Sequence, residues 1–141
     1  MTVKTIVLKG NEFVVRKEAI ALGAITPGML IERAAGGVQA HSTAASNAAR
    51  AFTVEREITG DGIDVAYATD DTVLYGIFHP GVELYAVVSG AVALGEYLES
   101  DGAGGLRTAA ADAATDTAQR ASIVAVAIAA NVSTRCKVEV L

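Results

Sequence analysis

Tryptophan is absent, and the 141 residues hold one cysteine, two histidines, two prolines and two methionines. A single cysteine, Cys136, cannot close an intrachain disulfide, so a cytosolic or assembled intracellular product is expected. No stretch of about 18 apolar residues occurs, and the longest run, "IVAVAIAA" at 123–130, is too short to span a bilayer as a helix. No positively charged start leads into such a run, so no secretory leader is expected. Aromatics are only 5% of the chain. That scarcity argues against stacking platforms for bases or sugars.

What is present is small and apolar. Hydrophobic residues make up 52%, carried by alanine and valine, with 14 glycines. A chain this long forms one domain and buries about two-thirds of its unfolded surface without staples. The net charge is −5. Residues 1–17 carry Lys4, Lys9, Arg16 and Lys17 against Glu12, a balance of +3 that leaves −8 on the rest. The acidic body disfavours nucleic acid as a partner. The basic leading segment reads either as an arm that docks elsewhere or as ordinary surface scatter.

Short strand-like runs recur between turn signals. "TVKTIVLKG" (2–10) is β-branched and ends at Gly10-Asn11, and "EFVVRKEAIAL" (12–22) follows as a second extended segment. Thr26-Pro27-Gly28 fits a type II turn into "MLIER". Gly36-Gly37 turns the chain into another short strand, and 43–50 reads as loop, its alanines allowing one helical turn. "AFTVEREI" (51–58) alternates with period two, placing Phe52, Val54 and Arg56 on one side. "IDVAYAT" (63–69) alternates again, with Ile63, Val65 and Tyr67 together. Further strands are expected in 73–78, 82–88, 91–98, 122–128 and 135–141. Residues 108–120 are the one helix candidate, but Thr and Asp interrupt them and a loop is expected. The absence of a βαβ rhythm and the spacing of turns predict an all-β sandwich or barrel.

The corner "SDGAGGLR" (100–107) looks like a phosphate-binding loop, but the pattern fails. Such a cradle needs glycines at fixed spacing ahead of a helix, with backbone N–H groups or a lysine aimed at the phosphate. Neither Gly-x-Gly-x-x-Gly nor Gly-Lys-Ser/Thr occurs, so the glycines read as strand corners. His41 and His79 each lack a second His or Cys at ligand spacing. Asp61, Asp64, Asp70 and Asp71 lack the calcium-loop order with its terminal Glu, and read as turn residues. Cys136 shares a strand face with Val138 and Val140 and reads as a small buried hydrophobe. A strand would put Glu96 and Glu99 off any shared acid–base geometry. No catalytic, metal or cofactor residue is expected.

One resemblance stands out. "AITPGMLIERAAGGVQAH", "AFTVEREITGDGIDVAYATDDTVLYGIFHPGVELYAVV", "GEYLESDGAGGLR" and "SIVAVAIAANVSTRCKVEVL" follow one another in an order and texture that resembles the head decoration (cement) proteins of tailed bacteriophages, from about residue 22 onward. The resemblance implies a compact, β-tulip-like single-domain sandwich or barrel, often trimeric. It implies a position outside the expanded capsid at threefold or quasi-threefold sites, with the major capsid protein and other copies of itself as partners. It further implies synthesis in the bacterial host cytoplasm, no enzyme activity and no cofactor.

Residues 1–20 have no counterpart in that pattern. Their charge and strand character predict either an arm, poorly ordered when free, or the first strand of a β-domain covering 21–141. Lys4, Ile6, Leu8, Phe13, Val15, Arg16 and Lys17 are the candidate capsid contacts. Two rival readings are a small trimeric β-barrel nucleotide hydrolase, which needs a phosphate loop, and a carbohydrate-binding module, which needs exposed aromatics among Tyr67, Tyr75, Tyr85 and Tyr97. A carrier-like hammerhead domain, hinted at by "VSGAVALGEYLESDG", lacks the lysine that would carry the cofactor.

Overall fold

Eleven short strands and one 3₁₀ turn, Glu57–Thr59, make up most of the regular structure among the residues described by the computed structural model, which are 3–110, 122–131 and 133–141. The strands are β1 (Val7–Lys9), β2 (Val14–Ile20), β3 (Ile31–Ala34), β4 (Gly37–Ala40), β5 (Ala51–Thr53), β6 (Thr72–Phe78), β7 (Glu83–Val87), β8 (Tyr97–Ser100), β9 (Leu106–Thr108), β10 (Ala125–Ala127) and β11 (Arg135–Val140). They form a six-stranded sheet in the order β1-β7-β11-β10-β8-β9, a three-stranded sheet β2-β6-β5 and the hairpin β3-β4. All named pairs are antiparallel. The fold is the all-β single domain that the turn spacing predicts.

Isolated bridges roll both sheets. Leu30 bridges Phe52 and Ala21 bridges Val38, so the circuit β2-β6-β5-β3-β4 returns to β2. Val88 bridges Leu106, so β9 likewise returns to the end of β7. Strand alternation then sorts the apolar residues into two cores. Ile31, Val38, Ala51, Val73 and Tyr75 point into the smaller circuit with Ala21, Ile25 and Tyr67. Leu30, Phe52 and Phe78 point out of it, against Leu84, Ala86, Leu98, Leu106, Cys136, Val138 and Val140 of the larger sheet. Phe52 and Phe78 meet edge-to-face, 6.1 Å between centroids at 63°. Their burial makes truncation of either to alanine cost about 3–5 kcal/mol.

Residues 3–20 are packed into this architecture, so of the two alternatives read from sequence they take the strand and not the arm. Ile6 is wholly buried and β1 pairs with β7. β2 runs in unbroken register along β6, from Val14↔Phe78 to Ile20↔Thr72. The physical reason is that both segments fill positions the sheets would otherwise leave bare.

Three expected strands are shortened or replaced, each where a side chain takes over the role of the ladder. "AFTVEREI" ends as a strand at Thr53, since Glu55 turns inward and the chain enters the 3₁₀ turn closed by Gly60 at φ +77°. The 63–69 segment keeps only the Ile25↔Tyr67 bridge, and Val65 is exposed. There Arg135 Nη2 donates to the Ile63 carbonyl at 2.6 Å, and Asp71 accepts the Ala68 N–H at 2.8 Å. Within 91–98 only Tyr97 and Leu98 are strand, because Glu96 Oε2 accepts the Ala93 N–H and folds a turn. β9 has no counterpart among the expected strands. Beyond Ala110, the loop expected over 108–120 falls outside the described residues.

Candidate contact surfaces

The seven residues proposed as contacts from sequence divide between core and surface. Ile6 is buried and Leu8 half-buried. Lys4, Phe13, Val15, Arg16 and Lys17 are exposed, with Phe13 at 57% and Val15 at 49%. Four of these five lie on or beside β2, the edge of the three-stranded sheet. Directly opposed residues of an antiparallel pair share a face. The register with β6 therefore puts Val15, Lys17 and Ala19 on the side of Tyr75, and Arg16, Glu18 and Ile20 on the side of Leu74.

The leading segment is tied down at one buried carboxylate. Glu55, 6% exposed, accepts the Ile6 backbone N–H at 3.1 Å and the Thr5 hydroxyl. Nothing in a single sequence pointed to Glu55, since its alternation placed it on the solvent side.

The four tyrosines do not make an aromatic platform. Tyr67 and Tyr75 are buried and Tyr85 is half-buried, leaving Tyr97 exposed. Tyr67 donates to the Val54 carbonyl at 2.8 Å and lies under the Arg56 guanidinium, 4.6 Å from the ring centroid. Burial pushes its phenol above the usual range. Arg56 also holds Asp61 and Asp71, so these aspartates are ion-pair partners in turns. Asp64 pairs with Arg135 at 2.8 Å.

The glycine-rich corner closes the β8–β9 hairpin. Asp101 Oδ1 accepts the N–H groups of Ala103 and Gly105, at 2.7 and 3.0 Å. Gly104, at φ +85°, sits where a Cβ would come within 2.9 Å of Ala40 Cβ. Its carbonyl accepts the Leu30 N–H, so the corner is packed against the smaller circuit and its amides are turned inward.

Ser100, His41 and Glu32 bring together the residue types of a hydrolytic triad. The Ser100 hydroxyl is 2.7 Å from His41 Nδ1, and Glu32 Oε2 is 3.7 Å from Nε2. Ser100 is fully buried and its Oγ accepts the Gly102 N–H, so no substrate carbonyl can approach it. The group fastens the corner to β4. Among the described residues no three His, Cys, Asp or Glu side chains cluster as a metal site would require.

Beside His41 lies a cleft. One lobe, of about 240 Å³, is lined by Ile31, Val38, Ala51, Tyr75 and Ile77 with Glu32, Arg33 and Asn47 at its polar side. A second lobe, of about 420 Å³, shares Arg33, Val38 and Tyr75 and adds Lys17, Glu18, Ala19 and Gly37. Of the candidate contacts read from sequence Lys17 lines this cleft; Arg33 was not among them and Tyr75 was named only as a candidate aromatic, and the β2–β6 register and the β3-β4 hairpin bring both to it.

Taken together these features describe an all-β domain of a six-stranded sheet, a three-stranded sheet and a hairpin, with no accessible reactive cluster among the described residues. No protein family matches the sequence, and no curated protein is similar to it. Among solved structures the chain is similar to the head fiber gp8.5 N base of bacteriophage phi29, at a TM-score of 0.59 and 8% identity, over 91% of this chain and 94% of that one. At that identity the similarity is one of fold.

Proposed function

We propose that this chain is a structural protein of a phage head, a decoration (cement) protein that binds the outside of the expanded shell and stabilises it. The observation that carries the reading is the fold shared with a head-fibre base over 91% of the chain. The sequence texture described above leads to the same class independently. In this reading the major capsid protein is the partner, and three copies cluster at threefold or quasi-threefold positions. The protein acts through surface complementarity, with no catalysis and no cofactor. The buried Ser100 and the inward-turned corner amides support that aspect.

A second reading follows the neighbour more literally, with the chain seating a fibre on the head. Mixing the purified protein with heads that lack it, then imaging them, tests both. Compact knobs at threefold positions are the expected result. Sparse projecting density would favour the fibre base, and heads without added density would overturn the reading.

A further inference from the structure

The cleft beside β2 is held open by the way the smaller circuit closes. β4 meets the chain just beyond the end of β2: Ala21 bridges Val38, and the Leu22 N–H donates to the Val38 carbonyl at 2.9 Å. Gly37 makes this approach possible, since a Cβ there would lie 2.1 Å from the Ile20 carbonyl oxygen. No other backbone bond joins β2 to β4 among the described residues. Upstream of Ile20 the hairpin has turned away, and the Lys17 side of β2 faces open space bounded by Arg33, Val38 and Tyr75.

Two cations without partners stand at this opening. Among the described residues neither Lys17 nor Arg33 makes an ion pair or a side-chain hydrogen bond, on a chain whose net charge is −5. Arg56, Arg107 and Arg135, by contrast, each hold a carboxylate. The acids near the cleft do not neutralise the pair. Both are charged at neutral pH, but the strand registers turn them from the pair: Glu32 lies on the face of β3 opposite Arg33, where Ser42, Gln39 and His41 engage it, and Glu18, though it lines the second lobe, lies on the face of β2 opposite Lys17. Unpaired cations beside an apolar hollow complement an anionic group attached to an apolar one.

We infer that the cleft between β2 and the β3-β4 hairpin receives an extended acidic segment of the partner protein, its carboxylates facing Lys17 and Arg33 and a neighbouring apolar side chain filling the hollow lined by Ile31 and Ile77. This rests on the proposed head-binding role and names the surface that performs it. The occupant is a peptide segment, because two lobes that share Arg33, Val38 and Tyr75 in their walls match the successive side chains of an extended chain.

The test compares the unaltered protein, Lys17→Glu/Arg33→Glu and Lys137→Glu for co-sedimentation with heads lacking the protein. Lys137 is exposed on β11, in the other sheet. All three should melt alike, because the substituted side chains are exposed. The expected result is at least tenfold weaker binding by the double variant, with Lys137→Glu binding as the unaltered protein does. Equal binding by the double variant would overturn the inference and leave the head-binding role standing. Equal loss in Lys137→Glu would reduce the effect to overall charge and overturn it too. Failure of the unaltered protein to bind would remove both. A change in the sedimentation of the free double variant would mean that the cleft holds a second copy of this chain, again overturning the inference.

Discussion

The carboxylate of Glu55 accepts the backbone N–H of Ile6 at 3.1 Å, across 49 positions of sequence. Glu55 lies just beyond β5 and Ile6 just before β1, so this one acid fastens the leading segment to the middle of the domain. Replacing it with alanine leaves a buried N–H unsatisfied, which costs about 1–3 kcal/mol. At roughly 4 °C per kcal/mol for a domain of this size, Glu55→Ala should melt several degrees lower by circular dichroism. Glu55→Gln keeps one acceptor and should lose less. Deleting residues 2–17 should prevent folding, because it removes buried Ile6 and the first half of β2. A truncated protein with an unchanged melt would restore the free arm.

Gly37 tests how the smaller circuit closes. Alanine there would press its Cβ against the Ile20 carbonyl at 2.1 Å, a backbone group that cannot rotate away. We expect Gly37→Ala to destabilise by about 1–3 kcal/mol, the range for forced overpacking. A Cβ on Gly62 would meet nothing within 4 Å, and its φ is not left-handed. Gly62→Ala should therefore be neutral or slightly stabilising, by up to about 1 kcal/mol through the unfolded chain. Chemical denaturation of the two variants separates them, and equal midpoints would refute this closure.

The sequence revealed strands wherever hydrophobic alternation met turn residues. β2, β7 and β11 lie within the runs expected for them, β6 starts one residue before its run, and Cys136, Val138 and Val140 share the expected buried face. It failed where side chains replaced the ladder. Arg135 holds the 63–64 region from 71 positions away, and no local pattern announces that. Glu55 alternates like a solvent residue yet is drawn inward by two donors near the N-terminus. The proposed contact surface was half legible. The exposed residues of β2 follow from charge and alternation, but the partner cation Arg33 depends on the hairpin's position, a long-range consequence of Gly37.

Cys136 should behave as an inert core residue. It is 1% exposed, its thiol contacts the Ala129 carbonyl at 3.2 Å, and burial pushes its pKa up. Little thiolate forms, and reagents cannot reach it. Iodoacetamide should leave the native protein unlabelled over hours and modify it fully in denaturant, read by mass spectrometry. Stoichiometric labelling within minutes under native conditions would contradict the buried placement of β11.

Acid should weaken the fold through three carboxylates. Hydrogen bonds from Ser42 at 2.5 Å and Gln39 at 2.7 Å hold Glu32 below its usual pKa of 4.5, with nearby His41 acting in the same direction. The Ala68 N–H and then Arg56 lower Asp71 from 3.8, and the Ala93 N–H and Thr108 hydroxyl lower Glu96 from 4.5. Each group binds its proton more weakly folded than unfolded. The unfolded state therefore takes up more protons between the two pKa values, and stability is lost as pH falls through the folded one. The melting temperature should hold level from neutrality down to about pH 5, then decline as the medium crosses the ordinary carboxyl range. Glu32→Gln removes one of the three titrations, so its decline below pH 4.5 should be shallower than that of the unaltered protein. Parallel curves for the two would show that the Ser42–Glu32–Gln39 cluster carries none of the acid sensitivity.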